Sequence, residues 1–220
     1  MIVLNRKELC KRYILFIISL FVAAIGVAVT KKGELGVSPI SSVANVLSLK
    51  FKVLSLGNWL IVWNLLMILG QILILRRKFQ WIQLLQIPLS FLFGYFTDFG
   101  MWILSGIHPQ TYWFRAALVI AGTLILGFGV ALSVMADVIM NSGEAFVKAI
   151  ADTVKKDFGN VKIGFDIFCV VFAMILSVLF FNGRIQGCRE GTIFAALCTG
   201  LVVKFSRRLI AKKVEVFLKR

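Results

Sequence analysis

The chain has 220 residues, of which 60% are hydrophobic and 16% are charged, and its formal net charge is +15. Soluble domains carry roughly 25% charged residues, so this composition excludes an ordinary water-soluble protein and is typical of one dissolved in a bilayer. Lys and Arg lie at the ends of apolar runs and not along one basic face, which argues against a nucleic-acid partner and for anionic lipid headgroups.

Six apolar segments are long enough to predict transmembrane helices. Pro88 lies within the third of them and is expected to kink it. An orientation with both termini in the cytoplasm puts most Lys and Arg on the inner side, as membrane insertion prefers. The six predicted spans are 13–30, 55–75, 81–104, 112–135, 163–181 and 191–205.

Two further stretches, 36–49 and 142–154, predict helices of under four turns, which are too short to span a bilayer. Ser38 can cap the first helix, with Pro39 at its first helical position. Ser142 can cap the second, and Glu144 lies in its first turn, where the helix dipole favours an anion. Two alternatives remain open: a re-entrant helix with its N-terminal amides toward the protein interior, or an amphipathic helix on the bilayer surface.

The same order of elements occurs twice along the chain. The tripeptide at 26–28 matches the one at 129–131, and a short helix and two spans follow each. Three spans per half make the second half inverted, an arrangement typical of transporters with a site at the repeat interface. The predicted fold is therefore an all-α membrane protein with one membrane domain. Its parts are repeat one at 13–106, repeat two at 112–208 and a basic cytoplasmic tail at 209–220.

Polar and acidic side chains in or beside these helices are candidates for a solute site. Carboxylates at bilayer depth are costly enough to indicate function, which makes Asp98, Glu144 and Asp166 candidates for proton or cation coupling. The alternatives place Asp98 at the outer interface and pair Asp166 with Lys162 at i, i+4. The residues predicted to hold a polar solute are Ser38, Ser42, Asn45, Asn64, Gln86 and Asn141, although interhelical hydrogen bonding is the alternative for Asn64 and Gln86.

The sequence contains no pattern that predicts an enzyme, a cofactor or a metal site. The four cysteines form no CxxC pair, and His108 is the single histidine. We therefore expect no catalytic residue, no cofactor and no metal ligand.

Several stretches carry a family resemblance. Gly36-Val37-Ser38-Pro39-Ile40 follows the first span, and Gln86-Ile87-Pro88 precedes Phe93-Gly94-Tyr95-Phe96-Thr97-Asp98 in the third. Asn64 in the second span, Gly143-Glu144 and the run from Val161 to Asp166 complete the pattern. Together they resemble the YczE/YyaS/YitT-like family of bacterial inner-membrane proteins over nearly the whole chain. The resemblance implies a multi-pass protein of the bacterial cytoplasmic membrane and leaves its biochemical role open.

The leading hypothesis is a small secondary transporter or exporter of a small polar or charged solute. One alternative is a non-transporting partner or regulatory subunit that docks on a larger membrane complex through its small-residue helix faces and basic tail. A second alternative is a channel, which would need the polar side chains of the predicted spans to line a continuous aqueous path. The sequence leaves open whether the chain forms a homodimer or binds a membrane partner protein.

Overall fold

A computed structural model of the chain describes residues 6–219, which fold into α-helices joined by short connections. Two 3₁₀ turns, Arg76–Lys78 and Trp81–Leu85, join the third helix to the fourth. The all-α prediction is confirmed over this range. In chain order the helices are α1 Arg6–Lys32, α2 Pro39–Lys50, α3 Leu56–Leu75, α4 Gln86–Ile103, α5 Tyr112–Ala136, α6 Ser142–Val154, α7 Phe158–Phe180 and α8 Glu190–Lys219.

Among the described residues, α1, α3, α5 and α7 are long and apolar enough to cross a membrane. Large apolar side chains cover their outer surfaces, as Leu73 and Ile167 illustrate with exposed fractions of 67% and 58%. Side chains of this kind on the outside of a bundle are suited to lipid. Four of the six predicted spans are therefore supported by length and composition.

The other two predicted spans differ from the sequence-based bounds. Residues 81–85 form a 3₁₀ turn, so α4 begins at Gln86 and Pro88 falls in its first turn. The first N–H groups of a helix have no intrahelical partner, and a proline there removes no hydrogen bond. The physical reason for the predicted kink, a hydrogen bond lost inside a helix, therefore does not apply at Pro88. The sixth span is part of α8, which continues without a break from Glu190 through the predicted tail to Lys219, while Arg220 lies outside the described residues.

Both predicted short helices are present as α2 and α6. Ser38 is the N-cap residue of α2, but its hydroxyl bonds to the Ser41 hydroxyl at 3.0 Å and makes no cap hydrogen bond. At α6 the predicted cap is displaced by one residue, because Asn141 is the N-cap and Ser142 is the first helical residue. The Asn141 side chain makes no cap hydrogen bond either, so both short helices begin with amides that no side chain of the N-cap satisfies.

The centre of the molecule is an antiparallel crossing of α1 and α5. Gly26 lies against the backbone of Leu126, and a Cβ added to Gly129 would lie 2.5 Å from the Ala23 backbone nitrogen. Small residues at such a crossing let two helix backbones touch, which is a main source of helix association in lipid. The crossing places the start of α1 beside the end of α5, where the Arg12 guanidinium donates to the Ala136 carbonyl at 3.0 Å.

The remaining helices pack around this pair. Each short helix contacts both α3 and α7, so α2 and α6 join the two halves of the chain. In the first half, α3 and α4 close tightly, because the Gly57 and Gly94 backbones meet without an intervening side chain. Among the described residues α7 and α8 form no comparable interface, and Gly164 and Gly200 on these helices face open space. The two halves therefore share their elements but differ in how tightly their last two helices pack.

The α1–α5 crossing predicts a difference between two helical glycines. Gly129→Ala places a methyl group against the α1 backbone, which should destabilise the protein by about 1–3 kcal/mol. Gly164→Ala adds a methyl group in open space and should be neutral or stabilise by up to roughly 1 kcal/mol through helix propensity. Thermal unfolding of both purified variants in detergent measures the difference, and equal melting temperatures would contradict the close crossing.

Candidate functional site

A cavity of about 570 Å³ lies among the helices. Its walls come from the middle of α1 and α8, the N-terminal halves of α3, α4 and α7 and the C-terminal half of α5. The lining residues of α4, α5 and α7 lie toward the face of the molecule at which α1 begins and α5 ends, and those of α3 lie toward the opposite face. A volume of this size is typical of sites that enclose a small molecule.

The N-terminal ends of both short helices reach this cavity. The segments from Ser38 to Ser41 and from Asn141 to Glu144 line it, and the Ile40 side chain packs on Gly143. The two helix starts therefore meet at one place, although about a hundred residues separate them in the sequence. The unsatisfied amides at such ends attract polar and anionic groups.

The cavity gathers most of the residues predicted from sequence. Ser38, Asn64, Gln86, Asn141, Glu144 and Asp166 line it. Among the described residues no hydrogen-bond partner occurs for the Asn64 side chain, which is therefore available to a ligand. The predicted roles of these side chains in binding or coupling stay predictions, since their position alone does not test them.

Ser42, Asn45 and Asp98 lie outside the cavity lining. The Ser42 hydroxyl donates to the Pro39 carbonyl of its own helix, and the Asn45 amide donates to the Gly187 carbonyl at 2.6 Å and accepts from Lys31. The two bonds of Asn45 hold α2 against the end of α1 and the loop between α7 and α8. A direct role for Ser42 or Asn45 in holding a solute would require them to leave these partners.

Asp98 has a structural partner at the opposite end of the bundle. Its carboxylate accepts the Gly57 backbone N–H at 2.8 Å and the Ser55 hydroxyl, so it caps the N-terminus of α3. A carboxylate at a helix N-terminus satisfies free amides and the helix dipole together. Asp98 therefore holds α4 against the start of α3 and does not line the cavity.

Three charged side chains form a cluster in the cavity wall. Lys162 pairs with Asp166 at 2.5 Å, as the i, i+4 spacing predicts. Glu144 is half-buried on the first turn of α6, and no hydrogen bond or ion pair to it occurs among the described residues. The Lys162 ammonium lies close enough to the Glu144 carboxyl for their charges to interact.

A buried amide network fixes the start of α6. The Gln71 and Gln86 side chains exchange two hydrogen bonds of 3.0 and 3.2 Å, and the Gln71 amide also donates to the Ser142 carbonyl at 3.1 Å. The network joins α3, α4 and α6 at the edge of the cavity. Interhelical hydrogen bonding is thus the observed role of both glutamines, and Gln86 contributes to the cavity wall as well.

The contribution of α8 was missed from sequence. Ala196, Thr199 and Gly200 line the cavity, and Arg207 lies exposed where the wall continues toward the end of the helix. Small residues at helical spacing are equally consistent with close helix packing, so the sequence held no signal for a cavity here. Trp63 was also missed, because an aromatic residue in an apolar span is most often lipid-facing or core.

Comparisons with known proteins place the chain among membrane proteins without an assigned activity. A family model described as a family of unknown function, DUF6198, matches residues 10–208. The chain is 28% identical over 203 residues to the uncharacterized membrane protein YczE of Bacillus subtilis (strain 168), covering 91% of this chain and 87% of that protein. No solved structure matches the chain.

The amide network predicts unequal effects of two glutamine substitutions. Gln71→Leu leaves the Gln86 amide and the Ser142 carbonyl without their partner, at a cost of about 1–3 kcal/mol in the free energy of unfolding. Gln83→Leu removes a buried side-chain oxygen that has no hydrogen-bond partner within residues 6–219, so it should be neutral or stabilising. Thermal unfolding of both variants in detergent gives the comparison, and a larger loss for Gln83→Leu would disprove the network's role.

Proposed function

The chain belongs to DUF6198, a family of unknown function, and from that premise we propose that it is a small secondary transporter that moves a small polar or charged solute through the central cavity. The resemblance to YczE-like membrane proteins is confirmed by the same comparisons. The observation that carries the proposal is the meeting of two short helices from opposite halves of the chain at one cavity with free polar groups.

The proposal includes two inverted repeats, and the α1–α5 crossing supports them. Leu126 and Gly129 follow Ala23 and Gly26 by the same 103 positions. Exchanging each residue for its counterpart converts the Gly26–Leu126 contact into the Gly129–Ala23 contact, and both occur. Antiparallel contact between equivalent helices is what a two-fold axis in the membrane plane requires.

In this arrangement α4 and α8 also cross the membrane, giving six spans, and α2 and α6 enter it without crossing. The lower hydropathy of α4 has an explanation in its packing, because its polar face, which includes Gln86, Ser90 and Thr97, is buried inside the protein. Lipid then meets mainly apolar side chains. Both termini are cytoplasmic in a bacterial cytoplasmic membrane, with the Lys and Arg residues at the end of α8 on the inner side.

The unequal packing of the two halves supports alternating access. The Gly57–Gly94 contact and the Asp98 cap close the bundle on the side away from the cavity. In this proposal the cavity opens toward the face where α1 begins, beside α7 and α8, which make few contacts with each other among the described residues. If α7 and α8 packed closely and α3 and α4 separated, the cavity would open to the other side of the membrane. In this mechanism Glu144 and Asp166 are the coupling carboxylates, and Asp98 is part of the closure.

Cysteine labelling in proteoliposomes tests this proposal without knowledge of the solute. Asn64→Cys, in a background with the four native cysteines replaced, places a thiol in the cavity wall. We expect a membrane-impermeant maleimide to react with it from either side of the membrane, because the cavity opens to each side in turn. Labelling is measured by the mass shift on a denaturing gel.

Leu197→Cys in the same background is the matched control. Leu197 has an exposed fraction of 71% on α8 and does not line the cavity, so its thiol faces lipid and should stay unlabelled from both sides. Reaction of the Asn64→Cys thiol from one side alone would overturn the transporter proposal and favour a non-transporting membrane partner.

A further inference from the structure

The charge inside the cavity is unbalanced. Two carboxylates, Glu144 and Asp166, form a cluster in the cavity wall with the Lys162 ammonium, and the exposed Arg207 guanidinium also lines the cavity. Lys162 binds Asp166 directly, and the Glu144 carboxylate has no partner in hydrogen-bond range among the described residues. Arg207 is solvent-exposed on α8, so water screens its charge. With both carboxylates ionised, the cluster therefore carries one uncompensated negative charge.

Most of the remaining wall is apolar or aromatic. Phe16, Trp63, Phe93 and Phe158 line the cavity together with aliphatic side chains of α1 and α5. Aromatic faces attract cations, and the attraction is strongest where water is excluded. Ca²⁺ and Mg²⁺ take about six or more oxygen ligands, which one free carboxylate in such a wall does not supply. Among the described residues no group of three His, Cys, Asp or Glu side chains could hold a metal ion.

Resting on the transporter proposal, we propose that the solute is a monovalent organic cation with an apolar body, whose positive charge pairs with Glu144. The amides of Asn64 and Gln86 line the same cavity and add polar contacts for the ligand. A buried negative charge repels an anion of the same size and shape, so the site discriminates by charge sign. The volume of about 570 Å³ accommodates a drug-sized cation.

The ions tetraphenylphosphonium and tetraphenylborate have the same shape and opposite charges, so together they test whether the cavity prefers a cation to an anion. Equilibrium dialysis of radiolabelled tetraphenylphosphonium against the full chain in lipid nanodiscs, with empty nanodiscs subtracted, measures binding. We expect saturable binding that tetraphenylborate does not displace. Non-saturable binding of the cation, or displacement by the anion, overturns the proposal.

Substitutions on one helix then assign the counter-charge. Glu144→Gln keeps the size of the side chain and removes its charge, and it should weaken tetraphenylphosphonium binding at least tenfold. Asp152→Asn removes an acidic group from the exposed face of the same helix and should leave binding unchanged. Glu144→Asp retains the charge and should retain saturable binding, which separates a lost charge from a damaged fold. Equal affinity of wild type and Glu144→Gln overturns the assignment.

The result also separates this inference from the transporter proposal. Labelling of the Asn64→Cys thiol from both sides does not depend on the solute's charge. If that labelling occurs and tetraphenylphosphonium fails to bind, the cavity still serves transport and the cation assignment alone is wrong.

Discussion

Gly26 and Gly129 let the backbones of α1 and α5 touch, and the position of the cavity depends on this contact. Apolar side chains have little reason to leave lipid for one another, so helices in a bilayer associate where backbones approach closely. A side chain in place of Gly26 or Gly129 would push α1 and α5 apart and move the helices that pack on them. Since α4 packs on α1 and α8 packs on α5, the last helix of each half takes its place from this pair.

Away from the crossing, the polar groups divide into two sets with different partners. On the side opposite the cavity, Asp98 and Asn45 bind backbone groups and close the bundle. In the cavity, Glu144 and Asn64 have no such partners among the described residues. Polar groups without partners are costly inside a membrane protein, and their concentration at one site is the physical reason to assign a function to it.

The sequence alone predicted the existence of the helices and most of their bounds. The apolar runs predicted α3 and α5 to within about two residues, and the start and end of α6 were placed correctly, because a run of apolar residues and its helix signals are local properties. The start of α4 was missed, since Trp81–Leu85 is as apolar as a helix and forms a 3₁₀ turn. Asp98 shows the limit for the site. Its own span gives no indication that Ser55 and Gly57 of another helix satisfy its carboxylate. Glu144 and Lys162 likewise become neighbours only when α6 packs on α7.

The unequal closure of the two halves is the central claim, and distances between spin labels in lipid nanodiscs test it most directly. Labels at the lipid-facing positions Val62 and Tyr95 report on α3 and α4, and labels at Ile167 and Leu197 report on α7 and α8. Labels on Ile18 and Leu124 report on the α1–α5 pair, which should give a single distance. The account predicts two distances for each of the first two pairs, with the fraction of closed α3–α4 matching the fraction of open α7–α8. One fixed distance for both pairs would contradict it.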